Sequence, residues 1–444
     1  MATIDVKKGD VETKQMIQVL VEKEKERRNH RNNNAPSIYI VDSILRNLSP
    51  NSFEPCVVAI GPLHKEDEKL QDMESHKVTY LLDLFLRLPS MPDRKMDECI
   101  ERVYANVEQI RACYAGKMEA YDDCQVAKMM VIDGCFVLEF ILRVCNYPDE
   151  DPIFYNKLAF QNVMRDLLLL ENQIPFFVLQ DIFKCTILEF DPSSSLQSLI
   201  FLFLRPINPF DISYVTNIND GVDTSYEHVL GLLQKFCQPA DAKPSGVSVS
   251  RFHSVEELTN AGVNFKRNQD KRWPLAMEFK ASWFPCFGWA WGKPTFTMPV
   301  LYIEDHTESV LRNLIAYEQC SPLSDTYITS YAVAMGMLVD TQEDIVKMVD
   351  SKVLINNLGT NRDAANMINN ICENVVLQDF CYSQQCNQVG SYYDHCWPKY
   401  IAPNMAGLRR TYFSSPWNFV ALVAGIILFG LTVIQTYYTV NPAA

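Results

Sequence analysis

The sequence lacks the short motifs that identify the commonest enzyme classes. Its 444 residues contain no G-x-x-x-x-G-K-[ST], no G-x-G-x-x-G, no H-E-x-x-H and no G-x-S-x-G. The usual signals of phosphate loops, dinucleotide sites, zinc proteases and serine hydrolases are therefore missing. The absence of these motifs does not exclude an enzyme of another class.

Basic residues and glycine are also scarce. Forty Lys and Arg stand against 54 Asp and Glu, a net charge of −14, which argues against a nucleic-acid-binding protein. With 16 Gly and 23 Pro, the chain is neither collagen-like nor linker-like. A composition that is 48% hydrophobic and 21% charged excludes a disordered chain and predicts a globular protein.

Acidic side chains are absent after Asp394, whereas Lys399, Arg409 and Arg410 give the end of the chain a positive charge. A basic end on an acidic body suits contact with anionic lipid headgroups. A chance run of neutral residues is the alternative.

Residues 417–440 form an uncharged run with aromatic residues near both ends, Trp417 before and Tyr437 and Tyr438 behind. As a helix, this run would measure about 36 Å, against about 30 Å of bilayer hydrocarbon. Aromatic residues favour membrane interfaces, and Arg409 and Arg410 would flank the span. A buried core helix is the alternative, but the pattern predicts a transmembrane helix over 417–440.

Residues 1–35 are polar and charged, and they contain no apolar stretch long enough for a secretory signal. They are predicted to be a flexible segment, with a docking arm as the alternative. Without a signal, a span at the far end predicts a tail-anchored protein of the plasma membrane with its body, residues 36–410, in the cytosol. Fourteen cysteines scattered along the chain are then expected to be free thiols.

Helical periodicity covers most of the body. Residues 36–237 and 305–395 are predicted to be helical, and 250–304 to be strand-rich. The predicted fold class is α+β and predominantly α-helical: a compact helical body, a small strand-rich insertion and one C-terminal transmembrane helix.

Several elements are specific enough to compare with a structure. Residues 126–144 are apolar nearly all round and predict a central helix, in which Gly134 permits close approach of a neighbouring helix. A second helix is predicted over 153–171 and a strand over 295–303. Ser254 begins a capping box.

Cys381, Cys386, His395 and Cys396 are soft metal ligands, but their C-x4-C-x8-H-C spacing is no standard zinc site. Packing, or lipidation of a cysteine, fits them better. No metal and no cofactor are therefore expected.

Two sets of polar residues are candidates for general acid or base chemistry. Glu171 and Asn172 lie in an apolar run, where burial would raise the pKa of the carboxyl. A structural role, satisfying backbone groups at a helix break, explains them better. His64, Glu74 and His76 flank the start of a helix, but no nucleophile accompanies them. No catalytic residue is assigned.

One predicted loop is crowded with aromatic residues: Trp283, Phe284, Phe287, Trp289 and Trp291. Aromatics grouped in a loop are typical of a protein-binding hot spot. They fill protein interiors just as readily. Both interpretations stay open.

Ordered blocks along the whole chain resemble the plant family called domain of unknown function 247. The blocks are Ile60-Gly61-Pro62-Leu63-His64, Met73-Glu74-Ser75-His76-Lys77, Ile110 to Tyr114, Met130 to Phe136, Leu169 to Leu179, Leu258 to Val263, Arg312 to Cys320, and the ending from Tyr412 to Thr436. Asp42 and Leu63 depart from the residues that the family usually shows there.

The resemblance implies a single-pass plant membrane protein with no established activity, and for some members a part in self-incompatibility recognition. It supplies no catalytic residues. The resulting prediction is a non-enzymatic recognition or signalling module that binds a lipid bilayer and an unidentified protein partner. The alternative is a membrane-tethered, hydrolase-like enzyme with an unrecognised site. A cleft of converging carboxylates and His would favour the enzyme, and a flat aromatic patch would favour the module.

Overall fold

A computed structural model describes the residues 16–19, 21–22, 36–89, 91–116, 118–146, 151–211, 226–239, 251–270, 273–281, 294–321, 324–377, 379–394 and 416–440. The aromatic loop, Arg409, Arg410, His395 and Cys396 lie outside them, as do the side chains of Tyr437 and Tyr438.

Helices dominate the described chain. They are α1 (Ser43–Leu48), α2 (Asp72–Leu86), α3 (Pro92–Ala105), α4 (Val107–Ala112), α5 (Asp123–Asn146), α6 (Pro152–Tyr155), α7 (Lys157–Asp166), α8 (Phe176–Cys185), α9 (Ile187–Phe190), α10 (Leu196–Leu204), α11 (Val229–Phe236), α12 (Val255–Asn260), α13 (Thr307–Cys320), α14 (Tyr327–Leu338), α15 (Gln342–Asp350), α16 (Asn361–Asn370), α17 (Ser383–Tyr393) and α18 (Pro416–Val440).

The described strands are few and short. They are β1 (Asn264–Arg267), β2 (Glu278–Lys280), β3 (Thr295–Met298), β4 (Leu301–Ile303) and β5 (Leu354–Asn356). The chain divides into two compact units: Met1–Pro239 with Glu304–Thr329 and Glu373–Val376 in the first, and Ala240–Ile303 with Ser330–Cys372 and Leu377–Ala444 in the second.

Helix α5 is the centre of the first unit, as the apolar pattern predicts. It packs against α2, α3, α8 and α10. Its Phe136 and Phe140 are fully buried and lie in a continuous aromatic cluster with Tyr80, Phe154 and Phe203. Such rings bury large apolar areas, so this contact supplies much of the unit's hydrophobic stabilisation.

Gly134 lies where α5 meets α8. A Cβ built on it would overlap the Cδ1 of Ile182 and would lie 3.5 Å from the Cδ1 of Ile174. The predicted close approach of a neighbouring helix at Gly134 is confirmed.

We therefore expect Gly134→Leu to lower the free energy of unfolding by about 1–3 kcal/mol, because the larger side chain overpacks the α5–α8 contact. Urea denaturation of the full chain measures the effect. Gly390→Leu is the matched control: it also lies within a helix, but nothing lies within 4 Å of its built Cβ. An unchanged midpoint for Gly134→Leu would contradict the packing argument.

The helix predicted over 153–171 is instead two helices followed by an irregular turn. Asp151 accepts a hydrogen bond from the Ile153 amide and starts α6, and Asn156 accepts from the Ala159 amide and starts α7. After α7, the Gln173 side-chain amide donates to the carbonyls of Leu167 (2.8 Å) and Leu169 (3.0 Å). Side chains thus take backbone carbonyls that a longer helix would use, and the helix ends.

The second unit contains a three-stranded sheet in the order β1-β3-β2. Strand β1 is parallel and β2 antiparallel to β3, with Phe265 and Phe279 both in register with Phe296. All three rings are buried, which explains why this polar stretch of chain forms a sheet. The capping box of Ser254 and Glu257 at α12 is present as predicted.

The strand predicted over 295–303 is divided into β3 and β4. Pro299 lies between them and has no N–H to donate to a sheet. Strand β4 then pairs in parallel with β5, Leu301 opposite Leu354.

The prediction of a transmembrane helix is wrong. Helix α18 forms where the span was placed, and Trp417 at its start is exposed. Crossing a bilayer requires a helix of about 20 predominantly apolar residues. No helix among the described residues is long and apolar enough to meet that requirement. The single-pass, tail-anchored architecture built on this span is corrected accordingly.

Candidate functional site

Side chains from three helices and a turn hold an irregular stretch of backbone in the first unit, residues 56–61, which runs from the exposed Cys56 into the core. The Asp166 carboxylate at the end of α7 accepts hydrogen bonds from the amides of Cys56, Val57 and Val58 at 2.7–3.1 Å. Asn172 accepts from the Ile60 amide (2.7 Å) and donates to the Val58 carbonyl (2.9 Å). We call this stretch with its partners the polar scaffold.

Asp133 completes the polar scaffold from α5. It accepts hydrogen bonds from the Gly61 amide (2.8 Å) and from the fully buried Lys77 ammonium (2.7 Å). Lys77 also donates to the Ala59 carbonyl and to Glu74. Burial lowers the pKa of Lys77, but its charge is balanced by Asp133 and Glu74, and the net pKa is raised. The lysine is therefore a charged structural cross-link.

Gly61 lies at the narrowest point of the polar scaffold. Its φ is +73°, and a Cβ there would lie 2.8 Å from the Gln173 carbonyl and 2.9 Å from the Tyr114 hydroxyl. Both the left-handed backbone and the space require glycine at this position.

Glu171 binds structural partners rather than facing a cleft. It accepts hydrogen bonds from the Val41 amide (2.7 Å) and from Arg46, and its Oε2 lies 3.2 Å from the Nε2 of His64. Burial raises the pKa of this carboxyl, but the nearby His64 imidazole and the hydrogen bonds from Arg46 and Val41 outweigh burial and lower the pKa overall. This is the opposite of the raised pKa that a general acid needs at neutral pH.

Among the remaining sequence candidates, Glu74 is bonded to the polar scaffold through Lys77. Glu74 pairs with Lys65 and Lys77, and His76 is half-buried on α2. Cys386 is buried on α17, in the second unit. Within the described part of the chain, no group of three or more His, Cys, Asp or Glu side chains could hold a metal ion.

A further carboxylate, in the block from Arg312 to Cys320, is buried in the first unit. Glu318 on α13 accepts hydrogen bonds from the amides of Ile328 (2.9 Å) and Thr329 (2.7 Å) and from the Gln234 side chain. Burial raises its pKa to about 7, against the lowering effect of these hydrogen bonds.

Glu318 therefore predicts a pH-dependent stability. Because the pKa of Glu318 is higher in the folded than in the unfolded state, the folded state holds its proton more tightly. The stabilisation that the protonated carboxyl gives the folded state is complete below the unfolded pKa of about 4.5 and is lost as pH rises through about 7. We expect Glu318→Gln to be more stable relative to wild type at pH 8 than at pH 5, measured by urea denaturation at both. Any hydrogen bond that the amide loses contributes equally at both pH values. A pH-independent difference between the two proteins would contradict the raised pKa.

A regular row of exposed apolar side chains in the first unit lies on α2. Val78 and Leu82 are each 51% exposed and Leu86 is 64% exposed. Spaced by four residues, they form one row along the helix, opposite the buried Tyr80 and Leu84. We call Val78, Leu82 and Leu86 the α2 face.

A network of ion pairs fixes the helix that carries the α2 face. Arg143 of α5 donates hydrogen bonds to Asp83 (2.5 Å), Glu139 (2.8 Å) and Asp151. Its guanidinium also lies 4.0 Å from the centre of the Tyr80 ring. The network pairs carboxylates of α2 and α5 with the Arg143 guanidinium and so holds α2, which carries the α2 face, against α5.

Two more exposed apolar residues lie beyond this network. Tyr155 and Leu158 are each 69% exposed, and they follow Asp151, whose carboxylate accepts a hydrogen bond from the Tyr80 hydroxyl of α2 at 2.7 Å. Exposed apolar side chains thus occur at the end of α6 and the start of α7 as well. An exposed patch on a rigid support is typical of a protein-binding surface.

Sequence reasoning missed the α2 face. The i, i+4, i+8 spacing of Val78, Leu82 and Leu86 is visible in the sequence. However, α2 is apolar on both sides, and periodicity alone does not tell which side is buried.

The chain matches the family model described as "DUF247: Plant protein of unknown function" over residues 38–431. Two curated relatives are from Arabidopsis thaliana. The UPF0481 protein At3g47200 is 28% identical, with 88% of this chain and 83% of the relative covered. The Putative UPF0481 protein At3g02645 is 21% identical, with 90% and 89% covered. No solved structure matches.

Proposed function

The chain belongs to the DUF247 family of plant proteins of unknown function, and we propose that it is a non-enzymatic protein-recognition module whose docking surface is the α2 face. The observation that carries this proposal is the row of exposed Val78, Leu82 and Leu86 on a helix held by the partly buried Arg143–Asp83 ion pair.

The way the motif residues are used supports this proposal over an enzyme. Asp133, Asp166 and Asn172 spend their polar atoms on the backbone of residues 56–61. Glu171 binds Val41 and Arg46, and its pKa is lowered. These buried polar groups thus have structural roles in the described chain, and the hydrolase-like alternative has less support.

The shape of the α2 face favours a helical partner. Side chains four residues apart form a ridge, and such a ridge packs into the groove of a second helix. Asp83 and Arg87 border it with one charge of each sign, and both are paired internally. The partner that fits is an amphipathic helix whose apolar residues repeat at three- and four-residue intervals. Self-recognition, which the family resemblance implies, is one process that such a module would serve.

We also propose that the body folds in a reducing compartment such as the cytosol. All twelve described cysteines are free thiols. Among them, Cys99, Cys135 and Cys185 are buried free thiols. Free buried cysteines are the ordinary state of proteins in such a compartment.

Leu82→Glu tests the docking surface. A carboxylate in the middle of the row would have to be desolvated on binding, so we expect loss of the partner by at least about ten-fold. The measurement is proximity labelling from the full chain in plant cells, with labelled proteins quantified by mass spectrometry.

Leu202→Glu is the matched control, because Leu202 is 50% exposed on α10 and lies outside the α2 face. The proposal requires that some proteins labelled by the wild type are no longer labelled by Leu82→Glu but are still labelled by Leu202→Glu. Both variants must keep the wild-type urea midpoint. Identical neighbours for wild type and both variants would refute it.

A further inference from the structure

Three buried thiols lie on helices of the first unit that pack against one another. Helix α3 packs against α5 and α8, and α5 packs against α8. Each of these helices carries one buried free cysteine: Cys99 on α3, Cys135 on α5 and Cys185 at the end of α8. Neither the polar scaffold nor the α2 face uses these side chains. We call the three cysteines the thiol cluster.

A hydrogen bond near the start of α3 brings Cys99 opposite Cys185. The Lys95 ammonium donates to the carboxylate of Glu189, on α9, at 2.8 Å. Cys99 follows Lys95 by four residues, and Cys185 precedes Glu189 by four residues. The two cysteines are therefore equally far along the chain from the same cross-link.

A second hydrogen bond at the other end of α3 fixes the direction of the two helices. The side-chain amide of Asn106, directly after α3, donates to Asp181 of α8 at 3.2 Å. Helix α3 is thus antiparallel to α8, and Cys99 and Cys185 both lie between the two cross-links. Four residues are about one helical turn, so both thiols lie one turn inward from the first cross-link, and both are buried.

The third thiol reaches the same place from α5. Cys135 is fully buried and follows Gly134, the point at which α5 contacts Ile182 of α8. The Cys135 thiol and burial raise the pKa of Cys99, against a lowering effect of Cys185. Such effects act between near neighbours, in agreement with the packing of the three helices.

We propose that Cys99 and Cys185 form a redox modification site, at which hydrogen peroxide closes a disulfide bond between α3 and α8. Two thiols that the fold holds together have a high effective concentration toward each other, which favours a disulfide within the chain over one with another molecule. The disulfide would close the long loop from Cys99 to Cys185 and make the stability of the first unit depend on its redox state.

The pair stays reduced in the resting protein. The Cys99 thiol and burial raise the pKa of Cys185, and the Arg102 guanidinium opposes them. A thiol with a raised pKa is rarely ionised, and the thiolate is the form that reacts. Cys185 is the last residue of α8, and helix ends fray. Oxidation therefore begins at Cys185 when the end of α8 opens.

The chemistry needs one peroxide for each disulfide. The Cys185 sulfur attacks a peroxide oxygen and the O–O bond breaks, which leaves a sulfenic acid and one water. The Cys99 sulfur then attacks the sulfenic sulfur, the S–S bond forms and the S–O bond breaks, releasing a second water. The two thiols are oxidised, the peroxide is reduced, and both thiol protons end in water.

Mass spectrometry of the full chain tests the proposal. Reduced protein is treated with hydrogen peroxide, unfolded in urea with an alkylating agent, and digested without reductant. We expect the peptides that contain Cys99 and Cys185 to be joined. The fraction of Cys99 that escapes alkylation should rise at least about ten-fold over protein kept in dithiothreitol. Dithiothreitol added after the peroxide should return both cysteines to the alkylated form.

Stability gives a second readout. A disulfide that closes a long loop restricts the unfolded chain, so peroxide should raise the urea midpoint of the wild type. The same treatment should not raise the midpoint of Cys185→Ser. Cys237→Ser, which removes a buried thiol at the end of α11, is the matched control and should keep the rise. Cys99 joined to Cys135 or to an exposed cysteine, or Cys99 fully alkylated after peroxide, would overturn the proposal.

Discussion

The first unit depends on the pairing of an irregular backbone stretch, residues 56–61, with buried side chains. Neither a helix nor a sheet satisfies these amides. Asp166, Asn172 and Asp133 accept from five of them, and Lys77 binds the Ala59 carbonyl and Asp133. Leaving such groups unpaired in the interior would cost about 1–3 kcal/mol each. The polar scaffold therefore ties α2, α5 and α7 to the same stretch of backbone.

This use of the motif carboxylates moves the search for function to the surface. A charged residue that is buried, paired and bonded to backbone is a structural cross-link, and removing one partner leaves the other uncompensated. The α2 face stands on the other side of the same helix that carries Lys77. The helix thus joins the internal scaffold to the surface that we assign to recognition.

Local features were predictable from the sequence, and distant pairings were not. The central helix α5, the glycine contact at Gly134 and the capping box at Ser254 follow from periodicity and short-range chemistry. The position at which α7 ends, Asp166, could not be predicted in this way, because the helix is ended by hydrogen bonds from side chains later in the chain. Lys77 and Asp133 are 56 positions apart, and no local pattern announces their pairing. The transmembrane prediction failed although its reasoning was local, and the outward side of α2 is set only by packing.

Hydrogen exchange at residues 56–61 tests the central claim most directly. The account predicts that the amides of Cys56, Val57, Val58, Ile60 and Gly61 exchange only through global unfolding, as slowly as the core of α5, although they lie outside any helix or strand. Exchange at the rate of an ordinary surface loop, while α5 stays protected, would show that the polar scaffold is not what holds the unit together.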